Sequence, residues 1–147
     1  MALVEKSALV AVPAATLYEI VNDVGSYPEF LPWCKGGRLL SRTEEELCGE
    51  IVVSKAGITK AFSTCNRLFP YHRIEIRLRE GPFHKLEGDW EFIELRKDAC
   101  KVVLSLEFEF SSGLMDKAFG IVFAQIANSL VDAFCKRAND LAKGVQI

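Results

Sequence analysis

Between Lys35 and Phe110 the apolar residues of this chain recur at every second position, whereas on either side they recur every three to four. That switch of period constrains the fold more than any other feature of the sequence. Arg73-Ile74-Glu75-Ile76-Arg77-Leu78-Arg79 alternates without a fault, as does Leu86-Glu87-Gly88-Asp89-Trp90-Glu91-Phe92. Val102 to Phe110 alternates too, apart from Val103 on the outer face. Successive side chains of a strand point to opposite faces, so each run has one dry and one wet side. Turn signals at Glu44-Glu45-Glu46, Ala56-Gly57, Phe69-Pro70-Tyr71, Gly81-Pro82 and Lys97-Asp98 separate the runs. About six short strands in succession imply an antiparallel meander.

The flanks supply one more strand and the helices. Leu3 to Val12 reads as a strand that stops at Pro13, a residue suited to the first turn of a helix. Leu17, Ile20, Val21 and Val24 follow at helical spacing, and Gly25 is expected to end that helix in a left-handed cap. Ser26 to Cys34 holds Pro28 and Pro32 and allows at most a short second helix. After Ser111-Ser112-Gly113, where Ser112 can cap, helical spacing runs from Leu114 to Leu141, a span of roughly 42 Å. Its stripe holds Met115, Phe119, Val122, Phe123, Ile126, Leu130, Phe134 and Leu141, opposite Lys117, Asn128, Asp132, Lys136 and Asn139. Gly120 permits a bend or the close approach of another backbone.

The expected class is therefore α+β: a sheet of about seven strands, two short helices after the first strand, and one long amphipathic helix across one face. A sheet of that width twists and curls. One straight helix cannot fill its concavity, so the remaining space is packed by large side chains or left as an apolar cavity. Polar residues on an inward face favour the cavity, and Thr64 and Asn66 share the phase of Phe62 and Leu68. A buried amide needs a partner: a neighbouring side chain, backbone, water or a ligand carbonyl.

With 147 residues the chain has the size of one domain, taken as 1–147, and 50% hydrophobic residues exclude a disordered protein. A net charge of −2 supplies no chain-wide attraction to nucleic acid or anionic membrane, so DNA is not an expected partner. The five cysteines (Cys34, Cys48, Cys65, Cys100 and Cys135) lack any Cys-x-x-Cys pair and fit neither a disulfide framework nor a zinc site. A reducing compartment is expected. Met1 to Lys6 lacks the basic region and apolar run of a signal peptide, and no apolar stretch is expected to approach the ~20 residues that cross a bilayer.

Several blocks resemble one family. They are Ser7-Ala8-Leu9-Val10, then Leu17-Tyr18-x-x-Val21-Asn22-Asp23-Val24-x-Ser26-Tyr27-Pro28-x-Phe30-Leu31-Pro32, then Val53-Ser54-Lys55-Ala56-Gly57-Ile58. Gly81-Pro82-Phe83-x-x-Leu86-x-Gly88-x-Trp90-x-Phe92, Glu107-Phe108-Glu109-Phe110 and Ala118-Phe119-Gly120-x-Val122-Phe123 complete the set. The chain is similar to the START-like family that joins coenzyme Q-binding proteins of the respiratory chain with the bacterial ribosome-association toxin. The resemblance implies a helix-grip fold, with an antiparallel sheet wrapped around the long C-terminal helix and a hydrophobic cavity between them. It also implies one of two roles. The first is a carrier or chaperone for ubiquinone or a related isoprenoid or polyketide-like lipid in support of respiration, with at most transient membrane contact. The second is binding to the large ribosomal subunit, which blocks subunit association. The expected location is the cytoplasm or the periphery of the inner membrane. No cofactor is expected beyond such a ligand.

For a lipid of this kind, each buried CH₂ is worth about 0.8 kcal/mol, so roughly three five-carbon units support micromolar binding after immobilisation costs. Such a site is set by shape rather than by a short motif. Phe30 and Trp33 are placed as a lid, while Phe62 and Trp90 share the inward strand phase and Phe83 lies in the Gly81-Pro82-Phe83 block. Together with Thr64, Asn66, Met115, Phe119, Val122, Phe123 and Ile126 they form the candidate binding set, with core packing the competing role for each. A ribosomal footprint would instead use Lys35, Arg38, Arg42, Lys55, Lys60 and Arg67. Catalysis is not expected: His72 and His84 sit in no triad or metal pattern, and no phosphate-binding glycine loop is present. A polyketide cyclase-like enzyme would need an acid or base in the pocket, for which only Glu50 or Tyr18 offer themselves.

Overall fold

The first strand closes the sheet beside the last, so its two chain-terminal elements meet. In the computed structural model, which describes residues 2–110 and 114–143 (114–117 by backbone alone), seven strands form one antiparallel sheet. They are β1 (Ala2–Val10), β2 (Cys34–Arg42), β3 (Glu46–Lys55), β4 (Ile58–Phe69), β5 (Arg73–Glu80), β6 (Phe83–Arg96) and β7 (Ala99–Phe110). Their order is β1-β7-β6-β5-β4-β3-β2, which leaves β1 and β2 as edges. Between β1 and β2 run helix α1 (Ala14–Asn22) and a 3-10 segment (Val24–Glu29), and helix α2 (Leu114–Ala142) ends the described chain. The curved sheet grips α2 in the manner the periodicity and the family resemblance imply.

Local chemistry explains the turns. Ala56 and Gly57, with φ of 53° and 78°, join β3 to β4 as the two-residue turn whose twist matches a hairpin. Pro13 precedes the first residue of α1 and accepts hydrogen bonds from the Thr16 and Leu17 amides through its carbonyl. Gly25, in contrast, does not cap α1. The helix stops at Asn22, Asp23 donates its amide to the Ile20 carbonyl, and Gly25 lies inside the 3-10 segment. The proline at Pro28 is tolerated there because only a single tight turn forms. That segment rests on β2, where Gly37 is required: any Cβ would overlap the Val24 carbonyl oxygen.

Helix α2 buries Phe119, Val122, Phe123, Ile126, Ala127, Val131, Phe134 and Ala138 against the sheet and α1. Leu141, expected on this stripe, is 43% exposed because the helix has run past its support. Met115 and Lys117 fall outside the residues whose side chains are described. At Gly120 a Cβ would press on the Phe110 ring at 3.0 Å, so this glycine serves a close approach of an aromatic side chain. From Ala118 to Ala142 the helix is long and apolar enough, by length and composition, to cross a membrane. This corrects the expectation that no apolar stretch approaches that length: scattered polar positions interrupt the stripe without making the helix polar on average, and here its buried face is occupied by the sheet.

The cysteines depart from expectation. Cys48 and Cys65 are joined by a disulfide between β3 and β4, with Cα atoms 4.1 Å apart, while Cys34, Cys100 and Cys135 are free. A spacing of 17 residues carries no sign of this pairing, which follows from hairpin register alone.

Candidate apolar site between the sheet and the long helix

Six phenylalanines decide how much of the concavity is filled. Phe62, Phe83, Phe108, Phe110, Phe119 and Phe123 meet one another with ring centroids 4.8–6.1 Å apart, mostly edge to face. They seal the space beneath the first half of α2. At the other end Tyr27, Phe30, Trp90 and Phe134 pack through centroid distances of 5.3–6.1 Å. Between the two clusters lies a hollow of about 100 Å³.

Its walls come from every layer of the fold. Val21, Tyr27 and Trp33 close one side, Ile51, Val53, Phe62, Thr64, Asn66 and Ile76 line the β3–β5 wall, and Leu86, Trp90 and Leu106 line β6 and β7. Phe123, Ile126, Leu130 and Phe134 form the roof on α2. Trp33, Ile51, Thr64, Asn66, Ile76 and Leu130 face inward yet keep partial exposure, so water-sized molecules reach them. A dry engineered cavity of about 150 Å³ accepts benzene. The hollow is thus somewhat short of a six-membered ring, and a longer ligand requires side chains to swing aside.

Of the candidate binding set, Trp33, Phe62, Thr64, Asn66, Trp90, Phe123 and Ile126 meet at this hollow. Phe83, Phe119 and Val122 do not line it; they are buried in packing, the first two within the aromatic cluster. Phe30 turns outward against Tyr27 and Phe134, with the Arg137 guanidinium 4.9 Å over its ring, and that guanidinium also binds Glu29. Met115 lies outside the described side chains. The sequence reading missed Val21, Tyr27, Ile51, Val53, Ile76, Leu86, Leu106, Leu130 and Phe134 as lining residues. Leu130 and Phe134 stood on the helical stripe and Ile76 in the strand alternation, but only the curl of the sheet selects which stripe residues border empty space.

Two polar side chains interrupt the apolar wall. Thr64 and Asn66 are neighbours on the inner face of β4, opposite Gly49 and Leu47 of β3. The Asn66 Oδ1 is buried and has no hydrogen-bond partner, an arrangement that is costly in an empty site. Tyr27 is the one ionisable lining residue among the described residues. Its hydroxyl donates to the Val21 carbonyl, and burial drives its titration far above the usual tyrosine range. Neither suggested acid or base lines the hollow. Glu50 pairs with Arg38 at 3.3 Å on the convex face, and Tyr18 packs against Tyr71 and Phe92. Tyr18 Oη and Asn22 Nδ2, one turn apart on α1, are also buried without partners.

Elsewhere, Glu46, Cys48 and Cys65 form, among the described residues, a group compact enough for a metal ion, with ligand atoms within 4.8 Å of one another. Two of these are engaged in the disulfide. The basic residues proposed for a footprint sit on the adjacent strands β2, β3 and β4 but do not share a face. Arg38 and Arg67 are in the outward phase, whereas Lys60 lies opposite the inward-facing Val53.

A long helix held in a curled antiparallel sheet over an apolar hollow defines a hydrophobic-ligand-binding class of fold. The chain belongs to the polyketide cyclase/dehydrase and lipid transport family, whose model matches residues 10–135. Within that breadth it is similar to the ribosome association toxin RatA of Vibrio cholerae, at 45% identity over 141 residues, 96% of this chain and 98% of the relative. It is more distantly similar to a mitochondrial coenzyme Q-binding protein COQ10 homolog of Xenopus laevis, at 29% identity over 126 residues, covering 83% of this chain and 52% of that one. Among solved structures, a START superfamily protein from Mycobacterium smegmatis superposes with a TM-score of 0.76 at 25% identity, covering 95% and 98% of the two chains. The Zhui aromatase/cyclase from Streptomyces superposes at 0.82 with 19% identity, covering 95% and 94%, a likeness of fold alone.

Proposed function

We propose that this protein holds an apolar, ring-bearing or isoprenoid molecule in the hollow under α2 without transforming it, and that it exerts its effect by docking on the ribosome. The observation that carries the first half is the hollow itself, walled among the described residues by sixteen side chains of which only Thr64, Asn66, Trp33, Trp90 and Tyr27 bring polar atoms. A lining whose one ionisable group among the described residues is a tyrosine hydrogen-bonded to the Val21 carbonyl offers no positioned acid or base, so a cyclase reaction is disfavoured. Organic extraction of the purified protein followed by mass spectrometry tests it. A co-extracted quinone or isoprenoid lipid, or saturable binding of added ubiquinone, is expected; absence of both refutes it.

The second half rests on near end-to-end similarity to a ribosome association toxin at 45% identity, against 29% to a coenzyme Q-binding protein over half that protein's length. On those figures ribosome association outranks respiratory carriage as the cellular role, with the large subunit as the expected dock and the cytoplasm as the place. Overexpression is expected to shift sedimentation profiles from whole ribosomes to free subunits. Unchanged profiles at growth-inhibiting levels refute this role while leaving ligand binding intact. Carriage of a quinone for respiration is the second reading, favoured by the apolar hollow. It predicts a respiratory defect on deletion that added quinone relieves.

A further inference from the structure

Cys48 and Cys65 are directly opposed in the β3–β4 register. Their flanking pairs, Leu47 with Asn66 and Gly49 with Thr64, face the concave side, which places both sulfurs on the convex face. Among the described residues no helix covers that face. We propose that Cys48 and Cys65 are a reversible thiol–disulfide couple that exchanges with a small thiol of the glutathione class and, when oxidised, fastens the β3–β4 wall of the hollow.

The two sulfurs differ in their surroundings. Cys65 is opposed on its other side by Arg77 of β5, whereas Cys48 Sγ lies 3.7 Å from the Glu46 carboxylate. The Arg77 guanidinium itself donates to the Ile76 and Gly88 carbonyls, on the β6 side, so the difference between the sulfurs lies with the carboxylate. A nearby carboxylate disfavours a thiolate. Cys65 is also the more exposed of the two, Cys48 being 6% exposed. These asymmetries assign the order of events. The Cys65 thiolate attacks a small disulfide, forming a mixed disulfide and expelling one thiol; Cys48 then attacks the Cys65 sulfur and expels the second. In sum, two protein thiols are oxidised to one disulfide while one small disulfide is reduced to two thiols. The remaining cysteines do not compete. Cys34 and Cys100 are buried, and burial pushes the thiols of Cys34, Cys100 and Cys135 up, the last to about 11.

The bond has a structural consequence for the site. Ile51 and Val53 of β3 and Phe62, Thr64 and Asn66 of β4 line the hollow. A cross-link on the opposite face of those strands, closing a loop of 17 residues, opposes their separation. This inference does not depend on the identity of any ligand or on a ribosomal role.

The full-length protein is equilibrated in glutathione buffers from fully reduced to fully oxidised, quenched with acid, alkylated and peptide-mapped. Cys48 and Cys65 are expected to lose labelling together at the oxidised end and regain it on return. Over the same range the melting temperature rises by about 6–12 °C and amide exchange across residues 46–69 slows. Cys48→Ser is expected to accumulate a glutathione adduct on Cys65, several-fold more than Cys65→Ser accumulates on Cys48. Labelling of both residues at every ratio overturns the couple, as does a zinc ion retained by the reduced protein at Glu46, Cys48 and Cys65 that prevents oxidation. Equal adducts in the two variants overturn the assigned order, and an unchanged melting temperature overturns the fastening. The wild-type mapping needs neither variant to fold.

Discussion

Replacing Asn66 by leucine tests whether the hollow is built to receive something. The side chain stands on the wall of the cavity with its Oδ1 buried and unpartnered, between Leu47 and Ile76 in the neighbouring strands. A buried polar atom left without a partner costs about 1–3 kcal/mol, and leucine of similar volume would remove that cost and add apolar contact. The empty protein is therefore expected to gain about 1–3 kcal/mol, a rise in melting temperature of roughly 2–10 °C for a domain of this size. Affinity for a quinol-like ligand should move the other way, since losing one neutral hydrogen bond worth about 1 kcal/mol weakens binding roughly fivefold. Calorimetric melting of the delipidated protein reads the first effect and ligand titration the second. Destabilisation of Asn66→Leu by more than about 1 kcal/mol would refute the reasoning. The amide would then be satisfied in solution, and the wall would hold no polar group awaiting a ligand. Thr64→Val is the control, because its hydroxyl can rotate to a backbone carbonyl and its loss should change stability by less.

Phe123→Ala should cost about 3–5 kcal/mol in chemical denaturation, because this ring joins the aromatic cluster to the roof of the hollow; the same variant should accept larger aromatic probes. Gly88→Ala should destabilise by about 2–3 kcal/mol, since the new Cβ would meet the Ser105 carbonyl and the Leu106 Cα of β7, neither of which can move without the strand. Stability should fall as pH rises from about 9 to about 11. Burial raises the Cys135 thiol to about 11 and lifts those of Cys34 and Cys100, so in that window the unfolded chain releases protons that the folded chain retains. Urea midpoints at pH 8, 9, 10 and 11 check this, and Cys135→Ala should flatten the decline.

The strands were legible because each carries its own period. The faultless alternation of Arg73 to Arg79 and the Ala56-Gly57 turn specify a hairpin ladder from a handful of adjacent residues. Helix α2 was legible for the same reason. What the sequence does not carry is distance between elements. Cys48 and Cys65 meet only because the turn fixes the register of β3 on β4, and nothing local to either marks the pairing. Gly25 looked like a helix cap because glycine after a periodic run normally is one; here the chain continues into a 3-10 turn stabilised by contact with β2. Phe83 and Phe119 were indistinguishable in sequence from Phe62 and Phe123. Which rings plug the concavity and which border the void depends on where a straight helix leaves a curved sheet.

That geometry bears on what the site can hold. The two aromatic clusters grip α2 at both ends, from Phe119 and Phe123 to Phe134, so the helix cannot lift without breaking several ring contacts. The wall opposite is softer. Ile51, Thr64, Asn66 and Ile76 are only half-buried and belong to β3, β4 and β5, far from the β1–β7 pairing that joins the first and last strands. A hollow of about 100 Å³ cannot enclose a ring together with its isoprenoid tail. Uptake must therefore enlarge the cavity on its β3–β5 side, past Trp33, while α2 stays in place. Slowed amide exchange on ligand binding, concentrated in β3 to β5 and not in α2, is the consequence of that argument.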